Sequence, residues 1–139
     1  MLKLTLVTPV KRLAVDLAVD EVFVPGYRGE LNILAGHSPL VTTLSTGVLR
    51  YREAGESEFK SAAISWGYCE VYADAVNILA ETAEFPEEID IERAAAAQKK
   101  SIESMLTPTD EAFVFEKYYQ KIERAAVRLE VAKQAKPTQ

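Results

Sequence analysis

The chain has 139 residues, enough for one ordinary domain or two small ones. Its 48% hydrophobic and 27% charged residues have the balance of a soluble globular protein, and a formal net charge of −5 argues against free nucleic acid as a partner. The one cysteine, Cys69, excludes an internal disulfide, which suits a reducing compartment, and its apolar surroundings predict a buried, inert thiol.

Leu2, Leu4 and Leu6 alternate with Lys3 and Thr5, the period of a half-buried strand. This start lacks the continuous apolar core of a signal peptide, and no apolar run approaches membrane-spanning length. Membrane association is therefore expected to go through a partner. Thr8-Pro9 ends the first strand, Leu13 to Val15 continues extended, and Glu21 to Val24 forms a further strand stopped by Pro25-Gly26.

Gly29 to Gly47 holds the only histidine. Two short apolar runs, Leu31 to Ala35 and Leu40 to Leu44, flank Gly36-His37-Ser38-Pro39. Glycine tolerates positive φ and Pro39 biases Ser38 toward extended geometry, so a tight turn between two buried strands is expected. A His-Ser pair suggests a hydrolase, but adjacent residues in an extended loop point opposite ways, and no glycine-flanked nucleophile elbow or clustered metal set accompanies it. A surface turn or a tip that touches a partner fits better. Glu53-Ala54-Gly55-Glu56 and Ala73-Asp74 read as hairpin turns between the strands that follow. About ten short strands with regular turn signals predict a β-sandwich or barrel.

The texture changes at Pro86-Glu87-Glu88. From Ile89 onward there is no glycine, and Ile91, Ala94, Ala95, Ile102, Met105 and Leu106 recur at helical spacing behind an Asp90 N-cap. Thr107-Pro108-Thr109-Asp110 interrupts that helix and caps a second, whose stripe is Phe115, Tyr118, Tyr119, Ile122, Ala125, Ala126, Leu129 and Ala132. So short a link makes the two helices antiparallel where they pack. The fold class is thus a β-sandwich over 1–86 followed by an antiparallel two-helix hairpin over 87–139. The first part carries seven Lys/Arg against eleven Asp/Glu, the second nine against ten. From Lys117 onward along the last helix, Lys117, Lys121, Arg124, Arg128, Lys133 and Lys136 face only Glu123 and Glu130, as a solvated face or as a surface for an acidic partner or a phosphate. Ala94 to Ala97 bury little area yet favour helix, so the hairpin can open without melting.

Three motifs carry a resemblance to the ε-subunit family of the bacterial F-type ATP synthase over essentially the whole chain. The longest is matched by Gly29, Glu30, Ile33, Leu34, Gly36, His37, Pro39, Leu40, Thr42, Leu44 and Gly47. An Ile-Asp-x-x-Arg-Ala motif is matched by Ile89, Asp90, Arg93 and Ala94, and an Arg-x-x-x-Arg-Leu by Arg124, Arg128 and Leu129. Asn32, Ala35 and the Trp66-Gly67 pair depart from the family's usual residues.

The resemblance implies a non-catalytic, metal-free central-stalk subunit of a rotary motor, coupling proton flow to ATP synthesis. Its partners would be the γ subunit, the c-ring and the α and β subunits. It would lie at the cytoplasmic face of the bacterial inner membrane, peripheral and not inserted. Glu30, His37 and Ser38 would face the c-ring. The hairpin would inhibit ATP hydrolysis when extended, with Lys117, Lys121, Arg124 and Arg128 meeting the catalytic head. No cofactor is required, but Ile89, Asp90, Arg93, Ala94, Lys100, Arg124 and Arg128 would bind a regulatory ATP without magnesium. Lys100 stands where tight binders carry arginine, and lysine lacks the bidentate fork, so that binding is expected to be weak. A rival reading is an unrelated β-sandwich adaptor whose helical hairpin dimerises.

Overall fold

The computed structural model describes residues 1–106 and 112–135. Seven strands precede two helices among them: β1 (Leu2–Val7), β2 (Arg12–Gly26), β3 (Gly29–Leu34), β4 (Leu40–Leu44), β5 (Gly47–Glu53), β6 (Lys60–Tyr72), β7 (Ala75–Glu84), a 3-10 turn at Pro86–Glu88, α1 (Ile91–Leu106) and α2 (Ala112–Ala135). The β-then-α architecture is the expected one, with fewer and longer strands. The segments around Leu13 and Glu21 are one strand, and so are those around Ala62 and Cys69. Asp16 (φ 48°) and Trp66 (φ 31°) absorb the bends without ending the pairing. Nor does Pro25 stop β2, because only its N–H is missing; its carbonyl still accepts from Ser45 N at 2.9 Å.

The strands form one network in the order β1-β7-β6-β4-β2-β3, with β5 joining β2 to β6 and β1 also paired with β2. Hydrogen bonding thus runs around a single core of Leu2, Leu4, Leu6, Val22, Leu49, Ile78 and their neighbours. The β6–β7 ribbon changes its inward face partway along. Ala62, Ile64 and Ala83 point inward at one end, and Cys69, Val71, Val76 and Ile78 at the other. A regular two-residue period cannot do this, and Trp66-Gly67 is where the phase slips.

The helices pack antiparallel, with Ile91 beside Ala132 and Ser104 beside Tyr118. Asp90 caps α1 as expected, its Oδ1 accepting from Arg93 N at 3.0 Å. The α1 stripe is narrower than expected: Ala94 and Ser101 are buried, whereas Ala95, Ile102 and Leu106 are exposed. A helix that touches one partner buries only a seam at seven-residue spacing. On α2, Ala125 and Ala132 are buried, Tyr118, Ile122 and Leu129 half-buried, and Tyr119 and Ala126 exposed. The Phe115 side chain, the Thr107–Asp110 cap and Lys136 lie outside the described residues.

The hairpin lies folded against the sandwich. Val131 and Ala132 of α2 pack on Ala63 of β6 and on Ile89, with Val48, Ile91 and Val127 around them. Burying one valine stabilises by about 1.5–3 kcal/mol and each methyl by about 0.8 kcal/mol, so this contact amounts to a few kcal/mol. The main core is many times larger, with eighteen buried residues against four among the described residues.

Candidate functional site

The tip between β3 and β4 is built on glycine. Gly36 adopts φ +82°, which lets His37 N donate to Leu34 O at 3.1 Å and close the turn. His37 Nδ1 lies 2.7 Å from Ser38 O. A carbonyl only accepts, so Nδ1 is the donor and Nε2 is left for a partner. The ring therefore engages the backbone of Ser38 and not its hydroxyl, and the hydrolase geometry is absent.

β3 and β4 are more open than the sequence suggests. Only Ile33 and Leu44 are buried on them, with Leu31, Leu40 and Thr42 half-buried, so alternate residues turn to the core and the residues between them to solvent. His37 is half-buried and Ser38 exposed. Glu30 is not beside them: it stands opposite Pro25, whereas Leu34, at the tip end of β3, stands opposite Glu21. Four strand residues separate them by about 13 Å. Glu30 Oε1 instead accepts from Arg50 Nη2 at 2.9 Å, and that guanidinium lies 4.5 Å over the Phe23 ring.

A second site lies between the helices. A groove of about 410 Å³ is lined by Lys100, Ser101 and Ser104 of α1 and by Tyr118, Lys121, Arg124 and Arg128 of α2. Three expected anion ligands, Lys100, Arg124 and Arg128, are thus brought together, with Lys121 added. Arg128 also reaches the sandwich: its Nη2 donates to Glu84 Oε2 at 3.1 Å, and its Nε stands 2.8 Å from Glu84 Oε1 at an angle poor for a hydrogen bond. Ile89 and Asp90 line a different groove, with Glu87, Glu92 and Ala132. Those three carboxylates make it unsuited to phosphate. Arg93 is exposed and lines neither groove, Ala94 is fully buried, and Lys117 is exposed outside both. Eight helical residues, about 12 Å, separate Ala132 from Arg124, so the two ends of the hairpin do not meet at one pocket.

The outer face of β4, β6 and β7 carries an apolar patch that period two alone did not flag. Tyr68 stands opposite both Thr43 and Leu79, and Val41 opposite Glu70. Val41 is 72% exposed, Tyr68 59% and Leu79 50%, so large apolar side chains face solvent on all three strands, with Trp66, 40% exposed, at the bend of β6. Cys69, beneath it, is inert: burial pushes its thiol up to about 11. Among the described residues no cluster of three His, Cys, Asp or Glu is arranged to hold a metal ion, and no helix is long and apolar enough to cross a membrane.

Residues 1–86 match the family described as ATP synthase, Delta/Epsilon chain, beta-sandwich domain. An ATP synthase epsilon chain of Bdellovibrio bacteriovorus is 50% identical over 113 residues, covering 78% of this chain and 81% of that one. The epsilon chain of Geotalea uraniireducens is 43% identical over 136 residues, covering 96% and 95%. A chain in the Euglena gracilis mitochondrial ATP synthase assembly of OSCP, F1 and c-ring superposes with a TM-score of 0.82 at 26% identity, covering 95% of this chain and 81% of that chain. A chain of the Tetrahymena thermophila mitochondrial central stalk and c-ring shares the fold, with a TM-score of 0.65 at 15% identity over 94% and 96% of the two chains.

Proposed function

The chain belongs to the ATP synthase epsilon-chain family, a stalk component and not the catalytic subunit, and from that premise we propose how its surfaces serve the rotor. The sandwich, residues 1–86, attaches to the γ subunit. The exposed apolar face of Val41, Trp66, Tyr68 and Leu79 is the observation that carries this reading, because a patch of that kind is the usual mark of a protein interface. The His37-Ser38 tip meets the polar loops of the c-ring, and Glu30, at the other end of β3, meets a separate part of it. The subunit sits peripherally on the cytoplasmic face of the inner membrane and couples proton flow to ATP synthesis.

Leu79→Glu tests the γ face. It puts a carboxylate on an exposed strand position, so the melting temperature of the isolated subunit stays nearly unchanged. Its affinity for γ, read from the fluorescence of the lone Trp66, falls at least tenfold. Val15→Glu, at a 56% exposed residue elsewhere, leaves binding intact. Equal losses from both variants would remove the apolar face from the reading.

The hairpin regulates hydrolysis. Folded, as here, it permits hydrolysis; extended along γ, it brings Lys117, Lys121, Arg124 and Arg128 to acidic segments of α and β and blocks it. Extension must break the Arg128–Glu84 pair, which releases Arg128 for the catalytic head. A weak ATP, without magnesium, binds the folded hairpin at Lys100, Lys121, Arg124 and Arg128 and favours that state through its differential affinity. In calorimetric titration of the whole subunit, Lys100→Ala and Arg124→Ala each weaken ATP about three- to tenfold, and added salt does the same, because exposed ionic contacts contribute about 1 kcal/mol and are screened. Arg93→Ala has less effect. Loss of binding in Arg93→Ala alone would move the nucleotide to the Asp90 end of the hairpin.

A further inference from the structure

We propose that Asp74 is the positioning residue of the His37 tip, a role that rests on the reading of that tip as a c-ring contact. The carboxylate reaches across 38 positions of sequence: its Oδ1 accepts from Gly36 N at 2.8 Å. Gly36 is the residue whose positive φ aims the turn, and it precedes the histidine directly. The same aspartate is tied to the first strand, because Lys3 N donates to its carbonyl oxygen at 2.9 Å. Asp74 thus joins the tip, the β6–β7 turn and the β1 end into one unit. The turn itself is suited to hold it. Ala73 and Asp74 take φ 48° and 62°, the two left-handed positions of a tight hairpin turn, and aspartate tolerates that region better than most residues.

The tip needs such a tie because its flanking strands do not pair with one another. The turn hydrogen bond from His37 to Leu34 fixes its local shape only. The Asp74 bond fixes where that shape stands relative to the sandwich. A contact on a rotating ring requires a tip held in one orientation, since each freely moving residue must be ordered on contact.

Two substitutions separate position from fold. Asp74→Gly keeps the left-handed backbone and removes the acceptor; Asp74→Asn keeps both. In the whole subunit, NMR hydrogen exchange of the Gly36 amide rises roughly two- to tenfold in Asp74→Gly, the range for losing one hydrogen bond at the surface, and stays at its original rate in Asp74→Asn. In the assembled synthase, proton pumping per ATP hydrolysed falls in Asp74→Gly and in His37→Ala and is retained in Asp74→Asn. Unchanged exchange in Asp74→Gly, or Asn behaving like Gly, overturns the tie. Faster exchange with pumping lost only in His37→Ala overturns the positioning role. Faster exchange with pumping retained in both overturns the c-ring reading beneath it.

Discussion

Ending the chain after Pro86 raises ATP hydrolysis by the assembled synthase severalfold and leaves the sandwich folded. The main core draws every fully buried member from residues between Leu2 and Ala83, with Phe85 packed at its margin. Truncation therefore removes the smaller cluster and the Arg128–Glu84 pair, and uncovers Ala63, Val48 and Glu84. It also removes the Lys11–Glu88 pair, whose side chains are 42% and 39% exposed and which contributes little. Circular dichroism of residues 1–86 is expected to show a cooperative melt within a few degrees of the full chain. Val131→Asp acts in the opposite direction on the enzyme. Val131 is 0% exposed at the docking contact, and burying an unpaired carboxylate costs more than the few kcal/mol that the contact supplies. The hairpin then leaves the sandwich with its helices intact, the extended state gains population, and hydrolysis falls. An unfolded truncated chain would sink the two-domain division. Unchanged hydrolysis after truncation would remove the hairpin as inhibitor, and raised hydrolysis in Val131→Asp would show that docking is not the permissive state.

Gly67→Ala destabilises the subunit by about 3 kcal/mol or more, a large share of the roughly 5–15 kcal/mol that holds a domain together. Gly67 is paired with Leu44 on one side and Ala80 on the other. A Cβ there collides with the Leu79 carbonyl and comes within 2.9 Å of the Ala80 Cα. Both are backbone atoms of a central strand, so relief requires moving β7 itself. Gly55 is the control. It has φ +83° but nothing within 4 Å of an added Cβ, so Gly55→Ala costs only the left-handed strain of about 1–2 kcal/mol. Urea unfolding of both variants checks the difference. Equal midpoints would mean that the β6–β7 ribbon yields at the bend and that close approach is not the constraint.

The features read correctly from the residues are local ones. Leu2, Leu4 and Leu6 alternate and are all 0% exposed. Ala73-Asp74 turns β6 into β7, Asp90 caps α1, and the helix pair begins where glycine disappears. Turn chemistry, capping and periodicity act over a few residues, so a single stretch contains the whole signal. The misread features depend on what lies opposite. Leu13 to Val15 and Glu21 to Val24 read as separate segments, yet pairing partners carry β2 past Asp16 between them, as they carry β6 past Trp66. Ile102 is as apolar as a core residue and stays 39% exposed, because α1 has a neighbour on one side only. Val131 was outside the expected stripe and became the docking residue, since α2 packs on the sandwich as well as on α1. Glu30 and His37 belong to one motif but stand at opposite ends of β3, whereas Gly36 of that motif is bonded to Asp74, which lies 38 positions away and outside every motif. Local pattern marks which stretches are extended or helical and where the hairpin turns and helix caps fall, but not which extended stretches merge into one strand. The tertiary structure decided which side chains share a surface, because that depends on register and on packing between segments far apart in the chain, which no local pattern records.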